Sequence, residues 1–147
     1  MVNSSKRLAW LFILVSLVLV SFVQKKTIAQ TDVDTQNIRS VIAAQLQAMA
    51  VDNWPLAFSF AGSGIKRQLN SPEAFKKMVL GGYRIVYRPR ILSFKGKRDI
   101  GGVPGYLFYM VGSDGRAATV VYFMTNQGNK GWRISGVKLF SAKGRVI

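Results

Sequence analysis

The chain contains no histidine and no cysteine, so the commonest general base, the commonest metal ligand and the thiolate nucleophile are all missing. That removes Ser-His-Asp schemes, histidine–metal centres, thiolate metal sites and disulfides together. Six carboxylates remain, Asp32, Asp34, Asp52, Glu73, Asp99 and Asp114, and most sit where a cap, a turn or a linker accounts for them. Asp99 differs. It ends a basic stretch near Gly101-Gly102-Val103-Pro104-Gly105, and with a tyrosine as acid it makes the one candidate acid–base pair. Its neighbours Lys97 and Arg98 keep it ionised, which suits a weak base and not a general acid. A surface salt bridge explains Asp99 equally well. These residue types imply no metal and no cofactor, and they favour a binding domain over an enzyme.

The remaining candidate sets are basic and aromatic. Residues Tyr83–Ile91 read as a strand, on which Arg84, Arg88 and Arg90 share one face while Tyr83, Ile85, Tyr87 and Ile91 share the other. With Lys95, Lys97 and Arg98 on the next strand this becomes a six-cation patch flanked by tyrosines, able to grip phosphates. The plainer reading is a solvated sheet face whose cations protect an edge strand. No nucleic-acid reader motif is present, which argues against specific nucleic-acid recognition. Among the aromatics, Trp54, Phe58, Tyr83, Tyr87, Tyr122 and Trp132 are the ligand-pocket candidates, although large aromatics ordinarily belong to the core. The tyrosines and Trp132 carry the polar tips that a ligand could meet.

The charge sets the surroundings these groups would favour. Twenty-one basic against six acidic residues give +15, and setting aside Lys6, Arg7, Lys25 and Lys26 leaves +11 for the domain. Such an excess favours anionic lipid, nucleic acid or an acidic protein. The four cations set aside flank an apolar run, Leu8–Val23, that is followed by Thr27-Ile28-Ala29. Basic, apolar and small residues in that order make residues 1–29 either a signal peptide cleaved after Ala29 or an uncleaved membrane anchor over residues 8–23. The positive-inside rule puts the domain on the far side of the membrane, in a periplasm, lumen or extracellular space, free or held to the inner membrane.

Residues 30–36 read as a linker and residues 37–147 as one domain. Ile38, Val41, Ile42, Gln45, Leu46 and Met49 recur at helical spacing, with Asp34 or Thr35 as the cap. Asp52-Asn53 opens a second short helix with Pro55 in its first turn. Ser71-Pro72-Glu73 starts a third, which Gly81-Gly82 ends. From Tyr83 onward five segments have strand character, Tyr83–Ile91, Leu92–Arg98, Tyr106–Val111, Ala117–Thr125 and Trp132–Leu139, with Ser113-Asp114-Gly115-Arg116 as the sharpest hairpin. Helices followed by antiparallel strands define an α+β fold, with the helices on one face of a curved sheet. Tyr106–Val111 and Val120–Met124 are apolar on both faces, so the face away from the helices is expected to be covered, by preference through homodimerisation.

Several strings carry a family resemblance. They are Ile42-Ala43-Ala44-Gln45-Leu46-Gln47-Ala48, Ala57-Phe58-Ser59-Phe60-Ala61, Phe75-Lys76-Lys77-Met78-Val79 leading to Gly82-Tyr83, Tyr87-Arg88-Pro89, and Gly131-Trp132-Arg133-Ile134-Ser135-Gly136-Val137. Spread over residues 37 to 140, they resemble the bacterial domain-of-unknown-function 4864 family, itself similar to the nuclear-transport-factor-two-like superfamily of cone-shaped α+β domains. The resemblance implies helices lining a strongly bent sheet around a cone-like cavity, used across that superfamily for small-molecule binding, catalysis or dimeric partner binding. Two departures stand out: Ser135 where an acid is common, and Gly62-Ser63 in place of a Ser-Pro step. Ketosteroid isomerases and dehydratases of the superfamily rely on a cavity carboxylate or histidine that no string here reproduces. The expected function is therefore a non-enzymatic binding or accessory domain with a cavity for a small apolar ligand or a partner. The alternatives are a ketosteroid-isomerase-like enzyme using Asp99 and a tyrosine, and a basic adaptor for anionic membrane or nucleic acid.

Overall fold

In the computed structural model, which describes residues 32–141, the first apolar stripe forms helix α1 over residues 32–50. Ile38, Ile42, Leu46 and Met49 lie three or four residues apart, fall on one side and are buried. The helix already includes Asp34 and Thr35, the residues expected to cap it. Chain contacts divide the molecule after Asn37, and the unit from Ile38 onward contains the sheet and the core. The leader expected over residues 1–29 lies outside the described residues. Among those described, no helix is long and apolar enough to cross a membrane.

Three short helices come next. In α2 (Trp54–Ser59) the Asn53 side chain accepts the Leu56 N–H at 3.1 Å and Pro55 occupies the first turn. Helix α3 (Ser63–Leu69) is absent from the sequence reading, because only Ile65 and Leu69 mark its inner side and Gly62-Ser63-Gly64 resembles a loop. Helix α4 (Pro72–Gly82) starts as its sequence demands, with the Ser71 hydroxyl accepting the Ala74 N–H at 3.1 Å and Glu73 in the first turn. It runs through Gly81 and Gly82 without a left-handed cap and tightens into a 3₁₀ turn over Arg84–Val86.

The expected strand over Tyr83–Ile91 does not form. Arg84–Val86 is the 3₁₀ turn, Arg88 is left-handed at φ 53°, and Pro89 offers no N–H to a ladder. The strand begins at Ile91 and merges two expected segments into β1 (Ile91–Ile100). It is followed by β2 (Val103–Val111), β3 (Ala117–Asn126) and β4 (Trp132–Ser141), which pair as an antiparallel meander in the order β1-β2-β3-β4. Gly101 and Gly102, both at positive φ, make a two-residue hairpin between paired Ile100 and Val103, tighter than the wide turn the sequence suggests. The Ser113–Arg116 hairpin forms as expected, with Asp114 accepting the Arg116 N–H at 3.0 Å.

Bulges at Phe94/Gly96 and Phe123/Met124 bend the sheet, and the result is the α+β architecture of helices followed by a curved antiparallel sheet. Tyr106, Phe108 and Met110 pair with Tyr122, Val120 and Ala118, and this buried inner face shares one core with Ile42, Met49, Trp54, Phe75 and Val79. The opposite face presents half-buried Leu107, Tyr109, Phe123 and Phe140. Lys95 and Lys138 lie over the rings of Tyr109 and Phe123, at 5.8 and 5.7 Å, so lysine stems shield part of its apolar area.

Candidate functional site

Helices α1, α3 and α4 stop short of filling the concave inner side of the sheet, and a cavity of about 290 Å³ remains between them and β3–β4. Its apolar wall comes from Met49 of α1, Ile65 and Leu69 of α3, and Phe75, Met78 and Val79 of α4. Ile134 and Val137 close it from the sheet side, and Val86 of the 3₁₀ turn adds to the wall. The polar contribution is small: Gln45, Gln68, Tyr83, Tyr122 and Ser135. No charged side chain is among these described lining residues. Gln68 and Ser135 are solvent-exposed and mark the mouth, whereas Gln45 and Tyr122 are buried and mark the inner end.

β4 reaches this position through a short parallel contact with the segment joining α2 to α3. The Gly62 N–H donates to the Ile134 carbonyl at 2.8 Å, and the Ile134 N–H donates to the Phe60 carbonyl at 3.0 Å. Ser135 sits in the bulge that comes after, which turns it toward the opening. The departure from an acid at Ser135 thus gives the lip of the cavity a neutral hydroxyl.

Gln45 is the buried polar residue of α1, and its amide nitrogen donates to the Ala57 carbonyl at 3.1 Å. A carbonyl accepts only from a donor, so this bond fixes the amide orientation and leaves the Gln45 carbonyl oxygen directed elsewhere. Tyr122 is 1% exposed, and its hydroxyl has no hydrogen-bond partner in the protein. A buried unpaired hydroxyl costs about 1–3 kcal/mol. Burial also pushes the Tyr122 pKa above its ordinary value. The group stays neutral in the fold while the unfolded chain ionises above about pH 10, so the stability it lends is present below that pH and is lost as pH rises beyond it. Phenolate absorbance during an alkaline titration should therefore show Tyr122 ionising only as the chain unfolds, and Tyr122→Phe should move alkaline unfolding to higher pH. An unchanged midpoint in the variant would contradict this.

The six aromatic candidates separate into two groups. Tyr83 and Tyr122 line the cavity; Trp54, Phe58, Tyr87 and Trp132 lie outside its lining. Trp54 stacks on Tyr87 at 5.6 Å and meets Phe75 edge-on at 6.4 Å, while Phe58 packs against Phe75 at 5.6 Å. These rings support the wall from behind. The polar tips of the tyrosines point to the site from sequence, but Gln45 escapes notice as a site residue, although a glutamine inside an apolar helix stripe is the sign of a buried polar group.

Asp99 is not brought to the cavity. It is exposed at the end of β1, where its carboxylate accepts the Gly102 N–H at 2.8 Å and holds the hairpin. The six-cation patch is also redistributed. Arg84, Arg88 and Arg90 precede β1 and share no strand face, while Lys95, Lys97 and Arg98 lie on β1. Lys97 lies over the Tyr106 ring at 5.8 Å.

Arg88 belongs to a clasp across the end of α1. Its Nη2 pairs with Asp52 at 2.7 Å, its Nε donates to the Ala50 carbonyl at 2.9 Å, and the Tyr87 hydroxyl donates to Asp52 at 2.8 Å. The Tyr87 hydrogen bond lowers the Asp52 pKa most; desolvation opposes it, and the charges of Arg88 and Lys76 reinforce the lowering. On α3, Lys66 donates to the Ser59 carbonyl at 2.8 Å, and burial together with nearby Arg133 and Lys130 lowers its pKa.

No curated protein and no solved structure matches this chain. Among the described residues no cluster of carboxylates suited to a metal ion is present. A family model does match, over residues 31–147, which takes in every strand and helix that builds the cavity. The chain thus belongs to the family described as Domain of unknown function (DUF4864).

Proposed function

We propose that this protein is an exported or membrane-tethered binding domain whose cavity takes a small, largely apolar ligand and performs no chemistry on it. The observation that carries the reading is the cavity of about 290 Å³ with its wall of methionine, isoleucine, leucine, valine and phenylalanine. An apolar cavity of about 150 Å³ is enough for benzene, so this one suits a bicyclic body. The described lining offers no ionisable group except tyrosine, which favours binding over general acid–base catalysis. Export or tethering is supported by Lys6 and Arg7 ahead of the apolar run Leu8–Val23.

The test is thermal unfolding of the full-length chain with 2-ethylnaphthalene. A ligand that binds only the folded state adds about 2.7 kcal/mol at a hundredfold excess over Kd, so the melting temperature should rise with probe concentration. Val137, half-buried on the sheet side of the cavity, gives the matching control. Val137→Trp should fill the space, fold normally and lose the response. A melting temperature indifferent to the probe, or an equal response in Val137→Trp, would count against the cavity as a binding site.

A further inference from the structure

We infer that the ligand is electrically neutral and carries a carbonyl oxygen, held at the inner end of the cavity by a hydrogen bond from the Tyr122 hydroxyl. This rests on the binding reading above and names the chemical class of molecule that the site selects. Three observations converge on it. Tyr122 lines the cavity, and its hydroxyl is buried and finds no acceptor in the protein. A phenol in that state needs an acceptor, and the cavity walls of Met49, Phe75, Val79 and Ile134 offer from their side chains nothing stronger than the weakly accepting Met49 thioether.

The lining also decides against charge. An anionic ligand group would be desolvated beside Tyr122 with no cation among the described lining residues, and a cationic group would meet no carboxylate there. Neutral ligands escape that penalty. Gln45 is already anchored, since one of its amide N–H groups is engaged by the Ala57 carbonyl, whereas the Tyr122 hydroxyl has no partner at all, and one acceptor oxygen satisfies it. A ketone or ester oxygen fits this need without adding a donor of its own. The Phe108 ring, edge-on to Tyr122 at 5.7 Å, limits where the phenol can swing and so fixes the position of that oxygen.

A matched pair of probes tests it, 2-acetylnaphthalene against 2-ethylnaphthalene, which share a bicyclic body and differ in the carbonyl. Calorimetric titration of the full-length chain should show the ketone binding about tenfold more tightly. Tyr122→Phe should erase that preference. The infrared carbonyl stretch of the ketone bound to the unmodified protein should also lie below its position in hexane, a readout that needs no variant. A third probe, 2-naphthoate, should bind more weakly than either at neutral pH.

If both neutral probes bind equally to the wild-type chain, the carbonyl assignment fails and the binding reading survives. A preference for the ketone that persists in Tyr122→Phe, an unshifted carbonyl stretch, or tightest binding by the naphthoate would each overturn the assignment as well. Binding of none of the three would remove the binding reading and this inference together.

Discussion

Phe75→Ala should lower the stability of the domain by about 3–5 kcal/mol, the largest single effect expected in this chain. The ring is 4% exposed and lies at the junction of three groups: it meets Trp54 edge-on, packs on Phe58 and forms part of the cavity wall. Removing it deletes both ring contacts and joins a new void to an existing one, so the surroundings have no nearby side chain with which to close the gap. Urea unfolding would read the change as a lower midpoint at unchanged slope. A loss below about 1 kcal/mol would mean that the site collapses easily, contrary to a wall held apart by α4 and the sheet.

Gly105→Ala is the second, and it acts by crowding. The residue is buried in β2, and a Cβ placed there would lie 2.7 Å from Val121 Cγ1 and 2.9 Å from Ile100 Cγ1. Neither neighbour yields easily, since Val121 is 1% exposed within β3 and Ile100 is held by the adjacent hairpin. Overpacking of this kind costs about 1–3 kcal/mol. Gly64→Ala is the control, because nothing lies within 4 Å of the added carbon. Equal stabilities for the two variants would show that β1 and β2 adjust more freely than their packing implies.

Much of the fold is legible from local chemistry. The spacing of Ile38, Ile42, Leu46 and Met49 announces α1, the Ser71-Pro72-Glu73 start announces α4, and Asp114-Gly115 announces a hairpin. Each depends on neighbours a few residues away. The segment before β1 misleads for the opposite reason. Alternating arginine and apolar residues from Tyr83 to Ile91 imitate a strand, but Asp52 captures Tyr87 and Arg88 from some 35 residues away and holds the chain out of the ladder. Helix α3 is hidden by its glycines and its meagre apolar side.

The site is legible only in part, for a related reason. The polar tip of Tyr122 and the placement of Gln45 within an apolar stripe can be read from residue order, but whether a hydroxyl has a partner depends on what three separate elements leave beside it. Asp99 shows the converse. Its basic neighbours give it chemical interest, yet the bond from the Gly102 N–H to its carboxylate makes it part of a turn.

Methionine methyl resonances offer the most direct test of whether the cavity holds a ligand. Met49 and Met78 line it, while Met110 and Met124 lie outside its lining. In a full-length sample labelled at its methionine methyl groups, saturation with 2-acetylnaphthalene should shift Met49 and Met78 and leave Met110 and Met124 in place, through the ring current of a probe lodged between α1 and α4. Unmoved Met49 and Met78 resonances at saturation, or shifts confined to Met110 and Met124, would contradict a ligand site in this cavity.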